Sequence, residues 1–123
     1  MTTKPDEITL NVFGKILYAL AMADGEVQQE ELDELERIVQ EDEWAKEIKL
    51  SFDSAMELDM DPQIVFFKNV RIFQTLSRDE HMPFFLDLMR RVAEAYDGIV
   101  PEEHDLILKF SGKVPGEYLV EMD

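Results

Sequence analysis

The apolar residues of this chain recur at intervals of three and four along almost its whole length, and no stretch alternates convincingly with a period of two. The segment from Ile8 to Leu20 and the series Trp44, Ile48, Phe52 and Met56 have this spacing. Residues three and four apart lie on one face of a helix. We therefore predict an all-α fold, a compact bundle of about six to seven helices.

Short polar breaks separate the predicted helices. The first helix ends near Met22 at an Asp-Gly turn, the third ends before Asp59, and the fourth occupies about 62–76. Ser77 to Glu80 has the pattern of a capping box that starts the fifth helix. No break is long enough to divide the chain, so we predict a single domain, residues 1–123. After the last helix the pattern predicts a short docking segment that contains Tyr118, Leu119 and Val120.

Composition and charge narrow the classes of function. The chain is 46% hydrophobic, which is enough for a buried core in 123 residues. It carries 28 acidic and 12 basic residues, a formal charge of −16. This charge argues against direct binding of nucleic acid and favours a metal ion or a protein partner with a basic surface. The lack of cysteine excludes disulfides, thiolate zinc sites and a cysteine nucleophile.

No targeting or membrane segment is apparent in the sequence. The first residues lack the apolar stretch of a signal peptide. The longest apolar run, Ile16 to Ala23, is too short to cross a bilayer. We therefore expect a soluble cytoplasmic protein that does not insert into membranes.

One motif occurs twice. Asp24-Gly25 ends the first predicted helix, and Glu31 follows in the next helix. Asp97-Gly98 and Glu103 repeat this arrangement, with one residue fewer between turn and glutamate. Each copy thus consists of a helix, an Asp-Gly turn, a buried valine and a helix with a carboxylate in its first turn. We call the two copies the first and second repeat.

Oxygen ligands around a glycine turn are typical of calcium-binding loops, so we compare both repeats with the EF-hand loop. The first and third carboxylates of that loop are missing here, because Leu20 and Met22 in the first repeat, and Ala93 and Ala95 in the second, occupy their positions. Neither repeat is an EF-hand. Each supplies about two carboxylates, so a divalent site requires both repeats to meet.

This arrangement resembles the TerB family of tellurite-resistance proteins and the relatives that carry a TerB-like domain. The resemblance is carried by residues 23–27 with Glu30-Glu31-Leu32 and by residues 97–100 with Glu102-Glu103, and the helix order fits nearly the whole chain. It implies two adjacent acidic turns that bind a divalent metal ion such as calcium. It also implies protein–protein interaction in a stress or tellurite-resistance pathway, with partners at the membrane. The metal ligands that it implies are Asp24, Glu31, Asp97 and Glu103.

Two other interpretations stay open. The Asp-Gly turns can be ordinary helix boundaries, at which glycine closes one helix and a glutamate stabilises the start of the next. Alternatively, the acidic outer side of the second and third helices imitates a phosphate track and occupies a basic nucleic-acid-binding protein. The carboxylates that this acidic-decoy hypothesis requires are Glu34, Glu36 and Glu41.

The sequence does not favour an enzyme. It lacks the His-Glu-x-x-His and Gly-x-Ser-x-Gly motifs and a phosphate-binding glycine loop. Neither His81 nor His104 belongs to a Glu-x-x-His motif, so we expect both to be solvent-exposed. Apolar residues cover more than one face of the fourth helix, which predicts either the buried centre of the fold or half of a homodimer contact.

Overall fold

A computed structural model describes residues 4–76, 81–96 and 98–111. They form six helices and, within those ranges, no strand, which confirms the predicted all-α bundle. The predicted capping box at 77–80 and the docking segment at 118–120 lie outside the described residues. The helices are α1 (Glu7–Ala21), α2 (Gln29–Glu41), α3 (Ala45–Glu57), α4 (Pro62–Leu76), α5 (Met82–Glu94) and α6 (Pro101–Ser111).

The central helix of the bundle is α1, which packs against α3, α4, α5 and α6. Phe13 on α1 lies at the centre of an aromatic cluster, with ring centroids 6.0 Å from Phe73, 4.5 Å from Phe85 and 5.7 Å from Phe110. These three rings come from α4, α5 and α6. Of the two alternatives predicted for the fourth helix, the buried centre is therefore wrong, because α1 is enclosed by its neighbours whereas α4 has one face in solvent. The homodimer contact stays a prediction.

Local chemistry explains where α1 and α4 begin. The Asp6 side chain caps α1, since its Oδ1 accepts a hydrogen bond from the Thr9 backbone N–H at 2.8 Å. Asp61 plays the same role for α4, accepting from the backbone N–H groups of Gln63 and Ile64 at 2.9 and 3.2 Å. The predicted start of the fourth helix near residue 62 is consistent with the Asp61 cap.

The closest helix contact joins α1 to α3 at Gly14. The Ser51 hydroxyl of α3 donates a hydrogen bond to the Asn11 carbonyl of α1 at 2.6 Å. A Cβ placed on Gly14 would lie 2.4 Å from the Ile48 carbonyl oxygen and 2.6 Å from the Ser51 Cβ. Only a residue without a side chain permits the two backbones to approach this closely.

Candidate functional site

The two repeats fold alike around their glycines. Gly25 and Gly98 have φ angles of 108° and 80°, in the left-handed region that glycine adopts without strain. Val27 and Ile99 follow them and pack partly buried against the core. The repeat that we identified in the sequence therefore corresponds to a structural repeat of α1–turn–α2 and α5–turn–α6.

Each repeat places its glutamate at the same helical position. Glu31 Oε1 accepts a hydrogen bond from the Gln28 backbone N–H at 2.8 Å, which forms a capping box at the start of α2. Glu103 Oε1 accepts from the Val100 backbone N–H at 3.0 Å at the start of α6. Both glutamates lie three residues after the residue that they cap. The shorter spacing of the second repeat therefore falls before the cap and does not displace Glu103.

The two glutamates are buried against each other. Each is only 2% exposed, and the Glu103 carboxyl lies within hydrogen-bonding reach of the Glu31 carboxyl. Burial, together with the nearby charges of Glu103 and Asp24, raises the pKa of Glu31 from 4.5 to about 7. Burial and the charge of Asp24 also raise the pKa of Glu103. Two carboxyls can share a hydrogen bond only when one of them holds a proton, so this pair retains a proton into the neutral range.

The two aspartates of the predicted ligand set differ from the glutamates. Asp24 is exposed at the turn, where its Oδ1 accepts a long hydrogen bond of 3.4 Å from the Glu26 backbone N–H. Its charge nevertheless acts on both buried glutamates. Asp97 lies outside the described residues. The structure thus brings together Glu31 and Glu103, with Asp24 close by.

Carboxylate oxygens are the donors that calcium and magnesium prefer, so the donor type of this pair fits a divalent cation. The number of described donors is small. Across the described ranges, no group of three or more histidine, aspartate and glutamate side chains is arranged to hold a metal ion. Glu31 and Glu103 alone supply fewer than the six to eight oxygens that calcium takes. Further ligands would have to come from Asp24, Asp97 or water.

The histidine prediction is wrong for His81, which is 5% exposed. Its ring makes edge contacts with Trp44 and Phe85, at centroid distances of 6.3 and 6.5 Å. A single histidine gives no periodic signal, so its burial depends on how the N-terminus of α5 packs near Trp44. His104 is partly exposed.

The three carboxylates of the decoy hypothesis are all paired with cations of the same chain. Arg91 on α5 donates from Nε to Glu34 Oε2 at 2.9 Å, and from its two terminal nitrogens to both oxygens of Glu41 at 3.1 Å. Lys49 lies 3.6 Å from a carboxylate oxygen of Glu36. The acidic side of α2 is therefore partly neutralised, and Arg91 ties α2 in the first repeat to α5 in the second.

Removing the ion pairs of Arg91 should lower the stability of the protein measurably. We expect Arg91→Ala to lower the free energy of unfolding by about 1.5 kcal/mol, because Glu34, with a side chain 15% exposed, loses its interhelical partner. Arg90→Ala removes the same charge from a side chain without an ion pair in the described part of the chain, and should cost less than about 0.5 kcal/mol. Urea unfolding at low and high salt measures both changes. Equal losses for the two variants would contradict a structural role for the Arg91 cluster.

The comparisons with known proteins add no family assignment. No family model, no curated protein and no solved structure matches this chain. Within the described ranges, no helix has the length and apolar character needed to cross a membrane.

Proposed function

We propose that this chain is a non-enzymatic divalent-cation-binding module in which the ion joins the two repeats, with calcium as the leading candidate. The observation that carries the proposal is the burial of Glu31 against Glu103, one from each repeat. A glutamate can accept the capping hydrogen bond equally well when it is exposed, so helix capping alone does not require the two carboxyls to meet. Their meeting creates a buried acidic pair that needs a proton or a cation.

A binding role fits this pair better than a catalytic one. Both residues are 2% exposed, and each carboxyl has an oxygen that accepts a hydrogen bond from a backbone N–H. A substrate could not reach them without opening the bundle. An ion that replaced the shared proton would contact Glu31 and Glu103, with Asp24 and Asp97 as the further ligands that the TerB resemblance implies.

The wider role that we propose also follows the TerB resemblance. Cation binding would fix α2 and α6 relative to each other and so determine the surface that the module offers to a protein partner. The stress or tellurite-resistance pathway and the cytoplasmic location belong to this proposal. The acidic-decoy alternative is less favoured, because the carboxylates that it requires are paired within the chain.

Thermal unfolding with and without divalent ions tests the cation site. At an ion concentration about a hundredfold above the dissociation constant, we expect calcium to add about 2.7 kcal/mol to the free energy of unfolding. Glu31→Gln with Glu103→Gln should abolish this gain, since the amides keep the shape of the pair but remove both negative charges. Comparing calcium, magnesium and no divalent ion at matched ionic strength identifies the preferred metal.

A matched control separates specific binding from charge screening. Glu30→Gln with Glu102→Gln removes the same charge from the exposed neighbours in the same first turns. This double variant should keep the full gain in stability with calcium. If both double variants respond as the native chain does, the ion acts only by screening a protein of charge −16, and the proposed site does not exist. Asp24→Asn with Asp97→Asn tests the turn aspartates in the same way.

A further inference from the structure

The fourth helix is chemically unlike the rest of the chain. It spans 15 residues without one aspartate or glutamate, in a protein that has 28 acidic residues. Its charged residues are Lys68 and Arg71, both exposed and both without an ion pair in the described part of the chain. This helix therefore presents uncompensated positive charge on a strongly acidic molecule.

The exposed side of α4 is also apolar. Ile64 is 67% exposed, Phe67 is 61% exposed and Ile72 is 37% exposed. At 100° per residue, Lys68 and Arg71 lie near the middle of this side, with Phe67 on one flank and Ile72 on the other. We call these five residues the α4 face. Exposed apolar residues around unpaired charge are typical of a surface that another segment covers.

Charge complementarity specifies the chemistry of the occupant. A segment that covers the α4 face must place carboxylates over Lys68 and Arg71, and apolar side chains over Phe67 and Ile72. In its own sequence the chain contains such a segment, Glu117-Tyr-Leu-Val-Glu-Met-Asp123, beyond the described residues. Its two glutamates, Glu117 and Glu121, flank the apolar residues Tyr118, Leu119 and Val120 along the sequence.

The distance along the chain permits this segment to reach the α4 face. Residues 112–116 connect it to the end of α6 and can span about 17 Å when extended. Phe67 of the α4 face also lines a groove that Leu106 and Lys109 of α6 border. The last turns of α6 thus lie beside the surface to be covered. Attachment to the same chain also gives the segment a high effective concentration there.

We propose that residues 117–123 dock on the α4 face of their own chain, with Glu117 and Glu121 paired to Lys68 and Arg71. This inference is independent of the cation site, which lies between α2 and α6. It gives the predicted docking segment a defined position. Docking of this kind would shield Ile64, Phe67 and Ile72 from solvent.

Charge reversal on both sides tests the pairing. We expect Lys68→Glu with Arg71→Glu, or Glu117→Lys with Glu121→Lys, to speed amide hydrogen exchange in α4 and to raise the unfolding equilibrium constant. The combined fourfold variant should have an unfolding equilibrium constant about fivefold below the product of the two separate effects, since opposite charges again face each other. Urea unfolding and hydrogen-exchange mass spectrometry supply the two readouts.

A second set of reversals provides the control. Lys46→Glu with Arg90→Glu changes the net charge equally, at two cations outside α4 that have no ion pair in the described ranges. Combined with Glu117→Lys and Glu121→Lys, it should give additive effects only. Purely additive effects for the α4 variants as well would overturn the proposal. Recovery that depends on protein concentration, with a dimeric mass in sedimentation, would also overturn it, because the segment would then come from a second copy.

Discussion

Replacing Gly14 with alanine is expected to lower the free energy of unfolding by about 3 kcal/mol, because α1 and α3 meet there without room for a methyl group. The added Cβ would lie 2.4 Å from the Ile48 carbonyl oxygen and 2.6 Å from the Ser51 Cβ. A backbone carbonyl cannot rotate away as a flexible side chain can. The helices would have to separate, which would strain the Ser51–Asn11 hydrogen bond.

The direction of this effect opposes helix propensity. In an unhindered helix interior, a change from glycine to alanine gains about 1 kcal/mol. Ile8→Ala creates the same residue on the solvent side of α1, at a position 63% exposed, and should change stability by less than about 0.5 kcal/mol. Urea unfolding of both variants gives the comparison. A Gly14→Ala protein as stable as the native chain would mean that α1 and α3 do not approach as closely as described.

Gly14 also illustrates what periodicity can and cannot predict. The spacing of apolar residues predicted α1 correctly as a helix, because a helical face must repeat every three to four residues. It did not predict which positions of α1 are covered. Ile8 fits the apolar pattern and is 63% exposed, whereas the polar Thr9 is 2% exposed. Helix packing determines which positions are covered, and a single glycine within a helical pattern does not identify its neighbour.

The candidate site was predicted in part for a similar reason. Glu31 and Glu103 could be found because each follows an Asp-Gly turn in a repeated pattern, and local geometry of this kind is encoded in adjacent residues. Their burial against each other could not, because it depends on how α2 and α6 pack across the bundle. Unequal spacing between turn and glutamate obscured the equivalence. The structure removes this difficulty by placing the missing residue before the helix cap.

Glu31→Gln should change how stability depends on pH. The pKa of Glu31 is raised in the folded state, from 4.5 to about 7, so folding favours the protonated form. Its contribution is fully present below about pH 4.5 and is lost as the pH rises through about 7. At 1.36 kcal/mol per unit, this loss reaches at most about 3 kcal/mol. Glutamine cannot lose a proton, so the variant should lack this component of the pH dependence.

Glutamine has nearly the same shape as glutamate, so the difference in pH dependence can be assigned to the proton of Glu31. A glutamine at position 31 can still accept from the Gln28 N–H, and its amide can donate to the Glu103 carboxylate. We therefore expect Glu31→Gln to match the native chain at pH 5 and to exceed it in stability at pH 8, in metal-free buffer. Glu30→Gln removes a charge from an exposed neighbour and should follow the native profile. Urea unfolding across this pH range measures all three proteins.

Calcium should reverse the result at pH 8. Once the shared proton is lost, an ion can take its place between Glu31 and Glu103, so the native chain regains the stability that deprotonation removed. Glu31→Gln has no second negative charge to offer and should gain much less. If calcium leaves the native chain unstabilised at pH 8, the pair binds protons alone. If calcium restores it selectively, the carboxyls hold a proton in acid and a cation above neutral pH, and the seam between the repeats is stabilised in both conditions.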